Sequence, residues 1–271
     1  MNLVNGVERD AVSVRDRGLM YGDGVFRTFP LRDGKPVLWA RQYAKLARDC
    51  AALQIECPPA AQFERDLESI AATGPQQVVK IIVTRGESAR GYATAAASSA
   101  TRIVTAGAPA EYPDEYYEKG VRVHLCRIRL ARQPALAGVK HLNRLENVLA
   151  RAEWSDPAIA EGLLCDVDDA VIGGTMTNLF LARNGKLYTP DLRASGVAGV
   201  MRSLVIELAA GHGIALATTT IGIDDLLAAD EIFLVNSVIG LWPVAALDRR
   251  TWNAGALTAR FRRWIGDAQS H

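Results

Sequence analysis

The sequence predicts a mixed α/β (α+β) fold in two domains, and three observations lead there. Strand-like and helix-like stretches interleave in both halves of the chain. Apolar residues make up 49% and charged residues 23%, which is enough for a full core and excludes a disordered chain. Residues 107–120 hold Pro109 and Pro113 in a charged, aromatic-dotted stretch, which marks a domain boundary. We therefore expect a small N-terminal α/β domain over residues 1–112, a larger C-terminal domain over 113–271, and a cleft between them.

Taken in order, Leu3–Asn5 reads as a short strand, Gly6 as a turn, and the polar run to Ser13 as a second strand. Arg15-Asp16-Arg17-Gly18 breaks it. The glycines of Tyr21-Gly22-Asp23-Gly24-Val25-Phe26-Arg27-Thr28-Phe29 allow backbone that side chains forbid, yet the segment has neither G-x-G-x-x-G nor a Walker lysine. Arg32-Asp33-Gly34-Lys35 is a hairpin turn. Leu46, Cys50 and Leu53 space a helix over 38–53 that stops before Pro58, and a second helix follows over 60–72. Gln77–Thr84 is almost continuously apolar, as a buried strand would be, and Thr101–Thr105 is another strand.

Val121–Leu125 alternates as a half-exposed strand, and the run from Arg127 to Gly138 is polar and broken by Pro134. Leu145, Val148, Leu149 and Ala152 then recur at helical spacing. Further strands are expected over 162–167, 178–183, 216–220 and 231–235. Asp168-Asp169 and Asn184-Gly185 read as turns, and helices as 200–210, 223–229 and 256–268.

Net charge is +1, from 31 basic and 30 acidic residues, which argues against a nucleic-acid protein. Arg260, Arg262 and Arg263 read as the solvated face of the closing helix. Four scattered cysteines fit a reducing compartment, with Cys50 and Cys126 as small core residues. The N-terminus lacks a signal-peptide pattern, and no apolar run approaches the roughly 18 residues of a membrane span. A soluble cytoplasmic protein is expected. His124, His141, His212 and His271 make no metal-ligand pattern, so no metal is expected.

Three places suit chemistry. Lys140 sits where a strand or loop hands over to a helix. It reads either as a solvated charge or as a desolvated amine able to join a carbonyl cofactor. Gly196-Val197-Ala198-Gly199 opens a helix at Val200-Met201, either an ordinary glycine-rich start or an anion site built from backbone N–H groups. Ser237, after a buried strand, either adds a hydroxyl there or caps a turn. Arg85, Arg90 and Tyr92 follow a buried strand and suit carboxylate binding, or surface pairing. A lysine nucleophile, a phosphate cradle and carboxylate-reading arginines are what a pyridoxal-phosphate enzyme acting on an acidic amine needs.

The motifs Asp16-Arg17-Gly18, Tyr21–Phe26, Arg85-Gly86 with Arg90-Gly91-Tyr92, Gly138–Glu146, Thr177–Phe180, Tyr188-Thr189-Pro190, Gly196–Arg202 and Ala229-Asp230-Glu231 run almost end to end. Through them the chain resembles the fold-type IV pyridoxal-phosphate family, which holds branched-chain and D-amino-acid aminotransferases and lyases. Lys140–Glu146 is similar to the lyase branch more than to the aminotransferases. The resemblance implies a homodimer that takes a small acidic amine as substrate and binds pyridoxal 5'-phosphate in the interdomain cleft, mainly on the C-terminal domain. It implies conversion of 4-amino-4-deoxychorismate to 4-aminobenzoate and pyruvate in folate synthesis. The alternatives are a D-amino-acid or branched-chain aminotransferase, or a non-catalytic relative.

By the same resemblance Lys140 holds the cofactor and moves the proton at substrate C4. Gly199, Val200, Met201 and Ser237 hold the phosphate, and Thr28 assists proton transfer to the departing pyruvate. Arg90 and Tyr92 meet the substrate carboxylate. Arg144 stands where relatives place a tyrosine against the cofactor phenolate. Lys45 stands at the phosphate-binding arginine, after Gln42 where histidine is common. Gly173 stands where the family has a glutamate facing the pyridine nitrogen, a place that Asp168 or Asp169 could fill. A missing carboxylate there weakens the cofactor as an electron sink. An elimination that gains an aromatic ring tolerates that better than a transamination does.

Overall fold

Valine, isoleucine and phenylalanine alternate with smaller or polar residues through the N-terminal strands, and in the computed structural model, which describes residues 1–94 and 99–270, they build one face of a sheet. His271 lies outside the described residues. The chain divides into two units, residues 1–110 with 139–143, and residues 111–138 with 144 onward. A single division at 112/113 leaves no place for the return of Val139–Asn143 to the first unit.

The first unit holds, in chain order, β1 (Asn2–Val4), β2 (Val7–Glu8), α1 (Arg17–Tyr21), β3 (Gly24–Arg32), β4 (Lys35–Pro36), α2 (Trp39–Ala52), α3 (Ala60–Ala71), β5 (Gln77–Thr84) and β6 (Thr101–Gly107). Its sheet runs β2-β1-β6-β5-β3-β4, with antiparallel pairing throughout. Val79, Ile81 and Val83 point into the core with Phe29, Leu46, Phe63 and Ile70. Each such side chain stabilises the fold by about 1.5–3 kcal/mol. The intervening residues of β5 are half-buried, so it is a one-faced antiparallel strand rather than the doubly covered one expected.

The second unit holds α4 (Asp114–Glu118), β7 (Val121–Leu130), α5 (Leu145–Arg151), β8 (Ile159–Asp166), β9 (Val171–Gly174), β10 (Asn178–Arg183), β11 (Lys186–Pro190), α6 (Val200–Gly211), β12 (Leu216–Thr219), α7 (Ile223–Leu227), β13 (Glu231–Asn236), β14 (Gly240–Leu247), β15 (Arg250–Thr251) and α8 (Ala256–Gln269). Among the described residues its sheet follows β12-β11-β10-β13-β14-β7-β8-β9, with β15 on β14.

Two differences from the sequence reading have physical causes. β7 continues to Leu130, through residues expected as loop, because Glu153 accepts the N–H groups of Arg127 (2.7 Å) and Ile128 (2.9 Å) where the register with β8 shifts. The expected boundary stretch does hold the division, at Ala110/Glu111, and its second half also supplies Tyr112, Tyr116 and Tyr117, which meet Trp242 of β14 edge-on in the second unit's core. Cys50 and Cys126 are core residues as expected, and all four cysteines are free. No helix among the described residues is long and apolar enough to cross a membrane.

Candidate active site

Lys140 lies on the short segment 139–143 that runs beside β3. The Phe26 N–H donates to the Lys140 carbonyl (3.0 Å), and the Leu142 N–H donates to the Gly24 carbonyl (2.9 Å). His141 faces Val25 across this pairing, and Val139 is buried in the first unit's core. The glycines before β3 make room for it: a Cβ on Gly24 would sit 2.8 Å from Leu142 Cδ1. The glycine-rich segment is thus a seat for the lysine segment, a role its glycine spacing left unassigned.

The Lys140 side chain is half-buried, and Nζ stands 4.6 Å from the centroid of the Phe26 ring. Strand alternation puts Thr28 on the same face as Phe26, and Lys80 of β5 pairs with Thr28. The Lys80 amine lies 4.9 Å from the same ring centroid. Sequence reading singled out Thr28 and missed Lys80, whose only signal was a charge inside an apolar strand.

On the other face of β3, α2 turns Gln42, Lys45 and Asp49 inward at helical spacing. Asp49 accepts from the Lys45 amine and from Arg27, and the Lys140 N–H donates to Asp49 Oδ2 (3.2 Å). Burial pulls the Lys45 amine down to about 6, and the charges of Arg27, Arg48 and Lys140 act in the same direction. Asp49 went unnoticed in the sequence because the helix was read from its apolar positions.

In the second unit, the loop before α6 is built around Asn178. Its Nδ2 donates to the Val197 carbonyl (2.7 Å), and its Oδ1 accepts the Gly199 N–H (3.1 Å). The Gly138 N–H donates to the Gly196 carbonyl (2.9 Å), and the Ala198 N–H returns to the Gly138 carbonyl (3.1 Å). No side chain caps α6. The N–H groups of Val200 and Met201 thus begin the helix without a side-chain acceptor from the cap residue. Ser237 lies in the turn between β13 and β14, where Asn236 Oδ1 accepts the N–H groups of Val238 and Ile239.

Arg85 is engaged in pairs within its own unit. It pairs with both oxygens of Asp23 (2.8 and 3.0 Å) and donates to the carbonyls of Leu53 and Gln54. Burial pushes the Asp23 carboxyl up, but hydrogen bonds from Arg85 and Arg17 outweigh it and hold the carboxyl below its ordinary range. Arg17 is buried and donates to Asp23, Ser88 and the carbonyls of Gly91, Tyr92 and Ala93, shaping the loop that carries Arg90 and Tyr92. Arg90 is exposed, and the Tyr92 ring meets Tyr21 at 5.4 Å. Arg144 stands at the N-cap of α5, half-buried. Burial draws its guanidinium down to about 10, with Glu146 opposing.

Gly173 has φ +156°, and a Cβ there would lie 2.9 Å from the Thr177 carbonyl, so the backbone is built for glycine. Neither neighbouring aspartate fills in. Asp168 pairs with Arg132 and Asp169 with Arg129 (2.8 Å), and both aspartates are exposed in the β8–β9 turn. The buried carboxylate nearby is Glu161, which accepts the N–H groups of Gly162, Thr175 and Met176 and the hydroxyls of Thr175 and Thr177. That set builds the turn before β10. His124, Cys126 and Glu153 bring ligand atoms within 4.8 Å of one another. Glu153 already serves there as the cap of β7.

The model of the amino-transferase class IV family matches residues 24–247. The chain belongs to the class IV amino-transferase family. Within it, the chain is 48% identical to a 4-amino-4-deoxychorismate lyase of known structure from Pseudomonas aeruginosa, with a TM-score of 0.95 over 98% of each chain. It is 34% identical to an aminodeoxychorismate lyase of Vibrio harveyi, over 96% of this chain and 97% of that one. It is 26% identical to a D-alanine aminotransferase of Bacillus licheniformis, over 91% of this chain and 86% of that one. The mixed α/β class IV fold expected from the sequence stands.

Proposed function

We propose that the protein is a pyridoxal 5'-phosphate-dependent lyase that converts 4-amino-4-deoxychorismate to 4-aminobenzoate and pyruvate, in folate synthesis. The observation that carries this reading is Lys140: a half-buried amine held over Phe26 by a segment bonded to β3 and to Asp49. Similarity to lyases over nearly the whole chain supports the substrate.

The residues present fit the cofactor. Gly199, Val200 and Met201 would offer a helix opening for its phosphate and Ser237 a hydroxyl, and Lys45 stands at the position the resemblance gives to a phosphate-binding arginine. When bound, the cofactor supplies an aldehyde that joins amines and a ring that draws electrons from the adjacent carbon. Lys140 takes the proton from substrate C4, and its place over Phe26 limits its hydration. Thr28 assists proton delivery to the departing pyruvate. Arg90 and Tyr92 would meet the substrate carboxylate, and Arg144 would meet the cofactor phenolate.

Gly173 favours elimination. With glycine at 173 and Asp168, Asp169 and Glu161 all engaged elsewhere, ring-nitrogen protonation receives little help. Formation of an aromatic product supplies driving force that transamination lacks. The similarity to a D-alanine aminotransferase keeps an aminotransferase as the second reading. Purified protein should release pyruvate and 4-aminobenzoate from 4-amino-4-deoxychorismate. Transfer from a D- or branched-chain amino acid to 2-oxoglutarate, without pyruvate release from that substrate, would establish the second reading. Failure to take up the cofactor would establish a non-catalytic relative.

A homodimer in the cytoplasm completes the proposal. Leu145, Val148 and Leu149 lie exposed at helical spacing on α5, an apolar stripe that a second copy would cover. Four free cysteines suit a reducing compartment.

A further inference from the structure

Asp49 is a buried carboxylate that the chemistry above does not use, and it touches three things at once. It lies one helical turn beyond Lys45 on α2, so both side chains leave the same face of the helix. It takes Arg27 from β3, the Lys45 amine from its own helix, and the backbone N–H of Lys140 from the segment 139–143. The pairing of that segment with β3 uses the Lys140 carbonyl and the Leu142 N–H, whereas the Lys140 N–H goes to Asp49.

The charges around this point are Arg27 on β3, Lys45 and Arg48 on α2, Lys140 itself, and Lys80 of β5 across the Phe26 ring. Several cations thus share the field of one buried carboxylate. A buried carboxylate within reach of several cations governs how readily each of them keeps its proton.

We propose that Asp49 is a positioning residue for the Lys140 amine: it fixes the peptide from which that side chain rises, and it supplies the negative charge that offsets Lys140 and Arg27. This deepens the reading of Lys140 as the reacting amine. An amine that must first join an aldehyde and then accept a proton needs both a fixed origin and a controlled affinity for protons.

The test uses cofactor-free full-length protein with ¹³Cε-labelled lysine, followed by NMR across a pH titration. The six lysine signals are assigned by single Lys→Arg variants. Asp49→Asn keeps the shape and a hydrogen-bond acceptor but not the charge. It should lower the Lys140 midpoint by about one unit or more, while Asp49→Glu keeps the midpoint close to that of the unaltered protein. Amide exchange at Lys140 should speed in Asp49→Ala and stay slow in Asp49→Asn. A folded Asp49→Asn protein with an unshifted Lys140 titration would overturn the charge role, and unchanged exchange in Asp49→Ala would overturn the tether.

Should Asp49→Asn fail to fold, Arg27→Gln leaves Asp49 in place and removes a competing cation that stays charged throughout a lysine titration. The Lys140 midpoint should then rise, and an unchanged value would sink the proposal. These readouts need neither substrate nor turnover. A protein that titrates as described yet releases no pyruvate would count against the lyase assignment alone.

Discussion

Asn178 packs directly against the backbone of Gly199. The Asn178 Oδ1 accepts the Gly199 N–H at 3.1 Å, and a Cβ added to Gly199 would stand 2.4 Å from that oxygen. The amide side chain therefore sets the path of the loop that opens α6. Asn178→Ala and Gly199→Ala should each raise the Kd for pyridoxal 5'-phosphate about tenfold or more, since a hydrogen-bonded loop that reaches its anion loses on the order of 1.4 kcal/mol when it shifts. Fluorescence titration of cofactor-free protein measures this. Affinity unchanged in both variants would remove the loop from the phosphate site.

Lys45 makes stability depend on pH in a stated direction. Its folded value, about 6, lies below the ordinary 10.5. Between those values the unfolded chain binds more protons than the folded one, so the cost of burying Lys45 shrinks as pH rises across that window. Lys45→Met should melt above the unaltered cofactor-free protein near pH 7, and the gap should narrow toward pH 10. A gap that stays constant with pH would contradict the buried, poorly protonated amine.

Gly173→Glu would restore the carboxylate that the resemblance places there, yet it should not restore its use. At φ +156°, with the Thr177 carbonyl 2.9 Å from the new Cβ, the substitution should cost about 1–3 kcal/mol of stability. Urea unfolding reads that cost. A stable variant with raised transaminase activity would show that position 173 tolerates the family's carboxylate after all.

Arg17 holds the loop at Ser88–Ala93 from inside, through the carbonyls of Gly91 (3.0 Å) and Tyr92 (3.2 Å). Arg17→Lys keeps the charge and loses the fork. The variant should raise KM for the substrate about tenfold while the cofactor absorbance stays unchanged. An unaltered KM would separate this loop, with Arg90 and Tyr92, from substrate recognition.

The stripe on α5 gives the proposed dimer its test. Leu149 is 53% exposed and Val148 62% exposed, so Val148→Asp should leave the fold intact and yield a monomer by sedimentation. A dimer that survives the substitution would place the contact elsewhere.

Much of this molecule was legible in its residues. Helices such as α2 and α3, and strands such as β5 and β10, announced themselves through periodicity, because one face of each is apolar and the other is not. β3 and β14 were not legible, since glycines and prolines mask strands whose neighbours supply the pairing. The stripe Leu145, Val148 and Leu149 marked a helix correctly, but it is Ala150 that α5 buries against Cys126 and Trp154. Periodicity tells which residues share a face, and it does not tell what covers that face.

In the site, Lys140 and the Val200 turn stood out because their neighbours form a recognisable run. Asp49 and Lys80 did not, because each acts across a distance in sequence that no local pattern carries, and Asn178 lies in a recognisable run whose loop partners are as distant. Asp49 is 91 residues from Lys140. The pairing of Arg85 is hidden for the same reason: its partner Asp23 lies 62 residues away.

The central claim is that the Lys140 amine, and no other, carries the cofactor. Protein loaded with pyridoxal 5'-phosphate, reduced with borohydride, digested and mapped by mass spectrometry tests it directly. The pyridoxyl mass should appear on the peptide that contains Lys140 and vanish in Lys140→Ala. Finding it instead on Lys45, whose depressed affinity for protons makes it a competent nucleophile, or on Lys80, which shares the Phe26 ring, would contradict the claim.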